Sequence, residues 1–235
     1  MKTDILCFGA HSDDVELGMG GTLAKYTNLG KTAVICDLTE AELSSNGTPE
    51  NRKKEAERAA KCLGVRERIN LNMGDRNLFI TPENIAKIAA VIRRYQPKLI
   101  FAPYHIDRHP DHGRVSELVF EAVFSAGIRK YADQDGQGVH KPEAVYEYMI
   151  NSFHRPDFCV DISGSFDKKI EALKCYQSQF ERSGDGVVTP LTEGYLEAIE
   201  GRERAFGRDA GVLFAEGFKT KKPLILDADL FGVSK

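Results

Sequence analysis

The first half of the chain alternates short apolar runs with helical patterns, and this alternation restricts the fold more than any other feature. Helices between successive strands require right-handed crossovers, which produce a parallel sheet covered by helices. Strands are expected at 4–9, 31–38, 68–73 and 98–103, and helices at 20–29, 49–63, 81–96 and 111–125. The sequence therefore predicts an α/β fold, a Rossmann-like, mostly parallel sheet flanked by helices on both faces.

The second half of the chain is less regular, but it extends the same pattern. Strands are expected at 144–150, 158–162 and 214–218, and helices at 166–180 and 192–206. No repeat, low-complexity segment or linker interrupts the chain, and 235 residues with 42% hydrophobic content suit one core. We therefore expect a single domain, residues 1–235.

Charge and cysteine content argue against several classes of partner. The formal net charge is −3, which offers no basic surface for nucleic acid or an anionic membrane. The segment before the first strand is too short for a signal-peptide core, and no apolar run reaches the length of a membrane span. The five cysteines are scattered without a C-x-x-C pair, so no disulfide framework is expected. The expectation is a cytoplasmic protein.

The first strand is followed by AHSDD (10–14), which places a histidine and two carboxylates at the carboxyl edge of the sheet, where α/β folds bind ligands. A dinucleotide site is not expected, because G-x-G-x-x-G needs glycine where Leu23 stands and the acidic residues would repel a pyrophosphate. His11 and Asp14 could instead close on one metal ion, with Asp13 nearby as a base. Taken alone, the segment is explained equally well as a cap of the following helix.

The fourth strand ends in YHIDRHPDH (104–112), which holds three of the six histidines of the chain. Parallel strands of one sheet have their carboxyl-terminal loops at one edge, so His112 could join His11 and Asp14 around one ion. Three protein ligands with one position open to water describe a catalytic zinc site rather than a structural one. The alternative is a polar loop with His109 as a helix cap, but two histidine–aspartate clusters at one edge favour the metal site.

The two clusters together resemble a known family. AHSDD followed by GMGGT (18–22), with HPDH (109–112) after a later strand, is similar to the zinc-dependent N-acetylglucosaminyl deacetylases of the LmbE/PIG-L family. Ser12 stands where that family usually has proline, and Val15-Glu16 reverses its usual Glu-Val order. Four further segments resemble the branch that acts in bacillithiol biosynthesis: 35–48, 126–131, 189–195 and 215–218.

The resemblance implies a role for each residue of the two clusters. The implied zinc ligands, for one ion per chain, are His11, Asp14 and His112. Other divalent metals are possible, because availability in the cell as well as ligand type decides which is loaded. Asp13 would be the general base, His109 would stabilise developing charge, and Asp111 would orient a histidine. Held as a cation by Asp111, His109 is expected to have a raised pKa.

The branch resemblance also implies a substrate and an assembly. The reaction would remove the acetyl group from N-acetylglucosaminyl-malate, giving glucosaminyl-malate and acetate, in a homo-oligomer that we expect to be a trimer or hexamer. The two carboxylates of malate require cations, for which Arg52 and Arg108 are the candidates, and Tyr195 could hydrogen-bond the sugar or the reacting oxygen. A solvated helix face for Arg52 and simple packing for Tyr195 are the alternatives.

Three other functions stay open on the sequence. Another N-acetylglucosaminide, inositol-linked or a chitooligosaccharide, could replace the malate conjugate. A nucleotide-binding oxidoreductase would share the parallel sheet, but the third glycine of its fingerprint is missing. A metal-dependent phosphoesterase would also use histidine and aspartate, but such sites often hold two metals and these clusters supply ligands for one.

Overall fold

A seven-stranded sheet forms the centre of the computed structural model, which describes residues 2–132, 136–151, 153–181 and 186–225. The strands are β1 (Ile5–Gly9), β2 (Ala33–Asp37), β3 (Glu67–Asn70), β4 (Leu99–Pro103), β5 (Ala144–Tyr148), β6 (Phe158–Asp161) and β7 (Ala215–Thr220). Their order in the sheet is β3-β2-β1-β4-β5-β7-β6. Strands β1 to β5 pair in parallel, whereas β7 runs antiparallel to both β5 and β6. The predicted mostly parallel α/β sheet is confirmed.

Seven helices accompany these strands within the described residues. They are α1 (Asp14–Asn28), α2 (Pro49–Cys62), α3 (Pro82–Tyr95), α4 (Pro110–Ala126), α5 (Phe166–Leu173), α6 (Gln177–Phe180) and α7 (Tyr195–Ala210). Helices α2, α3 and α4 each begin with proline directly after a capping side chain, contributed by Thr48, Thr81 and His109. Each cap accepts a hydrogen bond from a backbone N–H of the first turn, which fixes where the helix begins.

Helix α1 begins at Asp14, earlier than predicted, because its glycines belong to the helix rather than to a turn. The backbone leaves helical geometry at Met19 (φ −150°, ψ 22°) and then continues to Asn28. A Cβ atom at Gly18 would overlap the ring of Tyr148, so glycine lets the helix approach the sheet closely. The predicted helix at 166–180 is also divided, into α5 and α6.

Two hydrophobic cores lie on opposite faces of the sheet, as the alternation of side chains along a strand requires. On β1, Ile5 and Cys7 face one core together with residues of α1, α2, α5 and α7. Leu6 and Phe8 face the other core, which α3 and α4 cover. The prediction of helices on both faces is therefore confirmed.

Strands β1 and β4 are neighbours in the sheet, so the loops that follow them meet at its carboxyl edge. The two histidine–aspartate clusters of the sequence occupy these loops. Among the described residues, no helix is both long and apolar enough to cross a membrane.

Candidate active site

Seven of the nine predicted site residues line one cavity of about 280 Å³ at the carboxyl edge of the sheet. They are His11, Asp13, Asp14, Arg52, Arg108, His109 and His112. Asp111 and Tyr195 lie outside this lining. The two clusters meet because the first follows β1 and the second follows its neighbour β4.

Asp14 lies between the two predicted histidine ligands. Its Oδ2 atom accepts the backbone N–H of Ala10 at 2.8 Å and of His11 at 3.0 Å, and lies 3.7 Å from His11 Nδ1. Its Oδ1 atom lies 3.2 Å from His112 Nε2. Asp13, at the N-cap position of α1, makes no side-chain cap hydrogen bond. Capping of the helix therefore does not account for the paired carboxylates.

His112 is held by a carboxylate that the sequence analysis did not assign. Asp107 Oδ1 lies 3.0 Å from His112 Nδ1 and also accepts the backbone N–H of His109 at 2.8 Å. Burial raises the pKa of Asp107, but the hydrogen bond with His112 leads the contacts that lower it to about 2. A carboxylate on one ring nitrogen fixes the tautomer. The other nitrogen of His112, Nε2, is the one that faces Asp14.

His11 has a corresponding carboxylate partner, Asp75, which follows β3. His11 Nε2 lies 3.3 Å from Asp75 Oδ1. Burial lowers the pKa of His11, but hydrogen bonds to Asp14 and Asp75 raise it to about 10. Burial likewise lowers the pKa of His112, but the charge of Asp14 and the hydrogen bond to Asp107 raise it to about 9. Three buried or partly buried carboxylates thus create an environment that stabilises positive charge.

The expected raised pKa of His109 is wrong, because Asp111 does not hold this ring as a cation. Burial and the positive charges of His11 and His112 lower the pKa of His109. Its Nδ1 atom accepts the backbone N–H of Asp111 at 3.3 Å, so this nitrogen carries no proton. The Asp111 carboxylate instead accepts from Arg76, through Nη1 at 2.9 Å and the backbone N–H at 3.0 Å. The contact between Asp111 and the His109 ring is therefore made by the backbone N–H of Asp111 and not by its carboxylate.

Arg52 is buried, so a solvated helix face does not describe it. The residue is 3% exposed, and its Nη2 atom lies 3.1 Å from Asp13 Oδ1. Nη1 donates to Ser44 Oγ at 3.0 Å, and Nε donates to Ser12 Oγ at 3.3 Å. The Arg52 guanidinium already forms an ion pair with Asp13, so binding of a substrate carboxylate would have to share it with Asp13.

Arg108 and Tyr195 converge on Asn151, whose side chain also donates to Asp107 at 2.9 Å. Arg108 Nη2 donates to Asn151 Oδ1 at 3.0 Å, and the Tyr195 hydroxyl donates to the same oxygen at 3.0 Å. Arg108 is exposed at the cavity, and guanidinium carries five N–H donors. Burial raises the pKa of Tyr195 to about 12, so the phenol stays protonated at neutral pH.

Three residues that contact the predicted site residues were not themselves predicted from the sequence: Asp107, Asp75 and Asn151. Asp107 lies inside the second motif, and its position after β4 could have revealed it. Asp75 follows β3, which is two strands away from β1, so its approach depends on the path of a loop. Asn151 follows β5, and a single loop asparagine carries no signal in the sequence.

The cluster has the donors and the supports that a zinc site requires. The predicted donors are His11, Asp14 and His112, and zinc binds both imidazole and carboxylate. One ring nitrogen from each of His11, His109 and His112 also lies within 4.8 Å of the other two. The residues therefore fit a divalent metal such as zinc, with Asp14 and His109 as competing third donors.

Comparison with known proteins identifies the family. The family model described as PIG-L, GlcNAc-PI de-N-acetylase, matches residues 6–123, a range that contains both clusters. The chain belongs to the PIG-L family. As a PIG-L protein it is an enzyme of hydrolytic N-deacetylation, as the resemblance implied.

Three similar proteins each match more than three quarters of this PIG-L chain. It is 32% identical over 228 residues to the diacetylchitobiose deacetylase of Thermococcus kodakarensis, covering 92% of this chain and 82% of that protein. It is 28% identical over 195 residues to a probable N-acetyl-alpha-D-glucosaminyl L-malate deacetylase 2 of Bacillus cereus, covering 77% and 86%. A solved structure, a conserved protein of Thermus thermophilus, matches with a TM-score of 0.89 at 37% identity, covering 99% and 100%.

Proposed function

We propose that this chain is a metal-dependent N-deacetylase that removes the acetyl group from N-acetylglucosaminyl-malate. The main support is that one cavity is lined both by the candidate metal donors and by Asp13. Asp13 is buried, and its carboxylate makes no capping hydrogen bond to α1. Amide hydrolysis needs a Lewis acid and a base beside the same carbonyl, and this cavity offers residues for both. The relatives named for diacetylchitobiose and for the malate conjugate support an N-acetylated amino sugar as substrate.

The proposed first step is attack of water on the acetyl carbon. A zinc ion held by His11, Asp14 and His112 would polarise the carbonyl and lower the pKa of water towards about 7. Asp13 accepts the proton of the attacking water, and Arg52 orients the accepting carboxylate from 3.1 Å. His109 acts as a neutral ring in this proposal.

His109 stabilises the developing oxyanion through Nε2. Because Nδ1 accepts the backbone N–H of Asp111, the proton of the neutral ring lies on Nε2 and can be donated in a hydrogen bond. Loss of that proton would leave an imidazolate, so His109 does not supply the proton of the leaving amine. Asp13, which carries a proton after the first step, returns it to the amine as the carbon–nitrogen bond breaks.

The choice of malate as the second half of the substrate is supported by Arg108. This side chain lies at the cavity with an exposed guanidinium, where it can pair with a carboxylate. Diacetylchitobiose, the alternative suggested by the Thermococcus relative, is uncharged and needs no cation there. The family comparison gives no support to the oxidoreductase or the phosphoesterase.

Acetate release by zinc-loaded protein tests both the N-deacetylase activity and the choice of substrate. The panel contains N-acetylglucosaminyl-malate, diacetylchitobiose and an inositol-linked N-acetylglucosaminide. We expect the malate conjugate to give the highest kcat/KM. A higher kcat/KM with diacetylchitobiose would reject malate but keep the deacetylase, whereas no acetate from any of the three would reject the deacetylase.

Replacement of Arg108 tests the malate contact by itself. We expect Arg108→Ala to raise KM for N-acetylglucosaminyl-malate about tenfold or more, since a hydrogen bond to a charged group contributes about 1.5–3 kcal/mol. The uncharged diacetylchitobiose serves as the matched control, and its KM should change less than about twofold. Equal losses with both substrates would show that Arg108 acts on the site rather than on malate.

We also propose that the protein is cytoplasmic and forms a trimer or hexamer. Light scattering after size exclusion gives the mass of the assembly, for comparison with the 26.1 kDa chain. A monomer at micromolar concentration would reject the oligomer.

A further inference from the structure

The loop that joins β3 to α3, residues 71–81, reaches the candidate site in a strained conformation. Asn72, Gly74 and Arg76 all have positive φ angles, of 45°, 85° and 63°. Glycine and asparagine adopt this region readily, but arginine does so only when surrounding contacts hold it there, so the strain lies at Arg76. Strain of this kind is typical of segments that place a functional side chain, which here is Asp75.

Hydrogen bonds from several elements hold the β3–α3 loop in place. The N–H of Met73 donates to the carbonyl of Leu38 at 2.8 Å. The N–H of Asp75 donates to Glu42 Oε1 at 2.6 Å, and the N–H of Arg76 donates to Asp111 at 3.0 Å. The loop is therefore tied to the segment after β2 and to the start of α4, on either side of Asp75.

Asp75 contacts the ring of His11 on the side away from Asp14. Its Oδ1 atom lies 3.3 Å from His11 Nε2, its Oδ2 atom accepts the N–H of Leu43 at 3.2 Å, and its side chain is 6% exposed. A carboxylate accepts hydrogen bonds, so it selects the ring form with the proton on Nε2. The lone pair of the neutral ring then lies on Nδ1, which is 3.7 Å from Asp14 Oδ2.

We propose that Asp75 is a positioning residue that holds His11 in the Nε2–H form, so that Nδ1 is the nitrogen offered to the metal. The inference rests on the proposed metal-dependent function. Asp107 does the converse for His112, whose Nδ1 it contacts at 3.0 Å while Nε2 faces Asp14. The two histidines thus present different ring nitrogens to one carboxylate, and each is fixed by its own aspartate.

A second metal ion between His11, Asp75 and Asp111 is the competing interpretation. One donor atom from each of these residues lies within 4.8 Å of the other two. The Asp111 carboxylate, however, is already bound by two guanidinium groups, Arg76 at 2.9 Å and Arg114 at 3.3 Å. A divalent cation would have to compete with both, which favours the hydrogen-bonding role of Asp75.

Zinc affinity of the full-length apoprotein, measured without substrate against a chromophoric chelator, tests the proposal. We expect Asp75→Asn to weaken zinc binding about 10–100-fold, the usual effect of losing an outer carboxylate. Glu42→Gln is the matched control, because it removes a nearby negative charge but keeps an acceptor for the Asp75 N–H. Affinity within twofold of wild type for Asp75→Asn, or an equal loss in Glu42→Gln, would overturn the role of Asp75.

Nitrogen-15 spectra of zinc-loaded wild-type protein give a second readout that needs no variant. We expect metal-bound Nδ1 and protonated Nε2 for His11. Metal-bound Nε2 of His11 in these spectra would overturn the proposal. So would a separate elemental analysis that finds two zinc ions per wild-type chain and one per chain of Asp75→Asn. Because neither measurement uses a substrate, both can still be interpreted if the deacetylase assay gives no activity.

Discussion

Among the buried charged clusters that contact the segment that begins α1, one around Lys169 and one at the candidate site differ in how their charges are balanced. In the first, Lys169 Nζ lies 2.7 Å from Glu203 Oε1 and 2.6 Å from Glu216 Oε1. Arg202 Nη2 lies 2.8 Å from Glu203, and Glu216 also accepts the N–H of Gly21 at 2.9 Å. This cluster contains its own permanent cations, which neutralise its carboxylates.

The cluster at the candidate site is balanced only by histidines, which carry charge only while they are protonated. Asp14, Asp75 and Asp107 contact histidines, and the pKa values of His11 and His112 rise because of these carboxylates. With neutral histidines, the three carboxylates keep their negative charge and favour an added cation. Carboxylates beside neutral histidines therefore favour a bound cation, whereas the carboxylates around Lys169 and Arg202 already have theirs.

The largest effect is expected at Asp13. Asp13→Ala should lower kcat by about 10²–10⁴-fold, because general base catalysis contributes that much, while zinc binding stays within about threefold of wild type. Steady-state acetate release measures the fall in kcat, and zinc titration measures the retained zinc binding. A variant that keeps more than about a tenth of the wild-type rate would show that another group takes the proton.

Disruption of the cluster around Lys169 should lower the free energy of unfolding and leave zinc binding unchanged. Lys169→Met leaves two buried glutamates without their shared ammonium group, and breaking a buried ion pair costs about 3–5 kcal/mol. Urea unfolding measures the free energy, and the folded fraction should still bind one zinc per chain. Loss of zinc affinity without loss of stability would mean that the two clusters are not separate in role.

Removal of the metal should lower the stability of the protein through the cluster at the candidate site and not through the cluster around Lys169. Zinc at a hundredfold excess over its Kd is expected to add about 2.7 kcal/mol to the free energy of unfolding relative to the chelated protein. The Asp14→Asn variant is the control, and its stabilisation by zinc should fall sharply. Equal stabilisation of this variant would favour His109 over Asp14 as the third donor.

The smallest effect is expected at an exposed pair. The hydrogen bond from Lys98, 2.8 Å away, leads the causes that lower the pKa of Asp4 from 3.8 to about 2. Since the folded-state pKa is depressed, the stabilisation is present above about pH 4 and is lost as the pH falls towards 2. Lys98→Met should therefore cost less than about 1 kcal/mol at pH 6 and nothing near pH 2, as urea unfolding at both pH values would show. A cost that persists at pH 2 would contradict this origin.

Much of the fold follows from local patterns in the sequence. The alternation of strands and helices predicts the parallel sheet, and Thr48, Thr81 and His109 precede prolines where helices begin. Helix α1 begins earlier than the sequence predicts, because glycines in a sequence favour a turn. Close packing of these glycines against the sheet is expected from the sequence, but the partner of Gly18, Tyr148, is distant in sequence and leaves no local signal.

From the sequence alone, His11, Asp14 and His112 are predicted to meet, because parallel strands of one sheet bring their carboxyl-terminal loops to one edge. Which carboxylate contacts which histidine ring is visible only in the folded chain. The carboxylate of Asp107 rather than that of Asp111 pairs with a histidine ring. Asp75 reaches His11 from two strands away, and Arg52 pairs with Asp13. The alternation of strands and helices is a pattern repeated over many residues, whereas a hydrogen-bond partner depends on a few torsion angles in one loop.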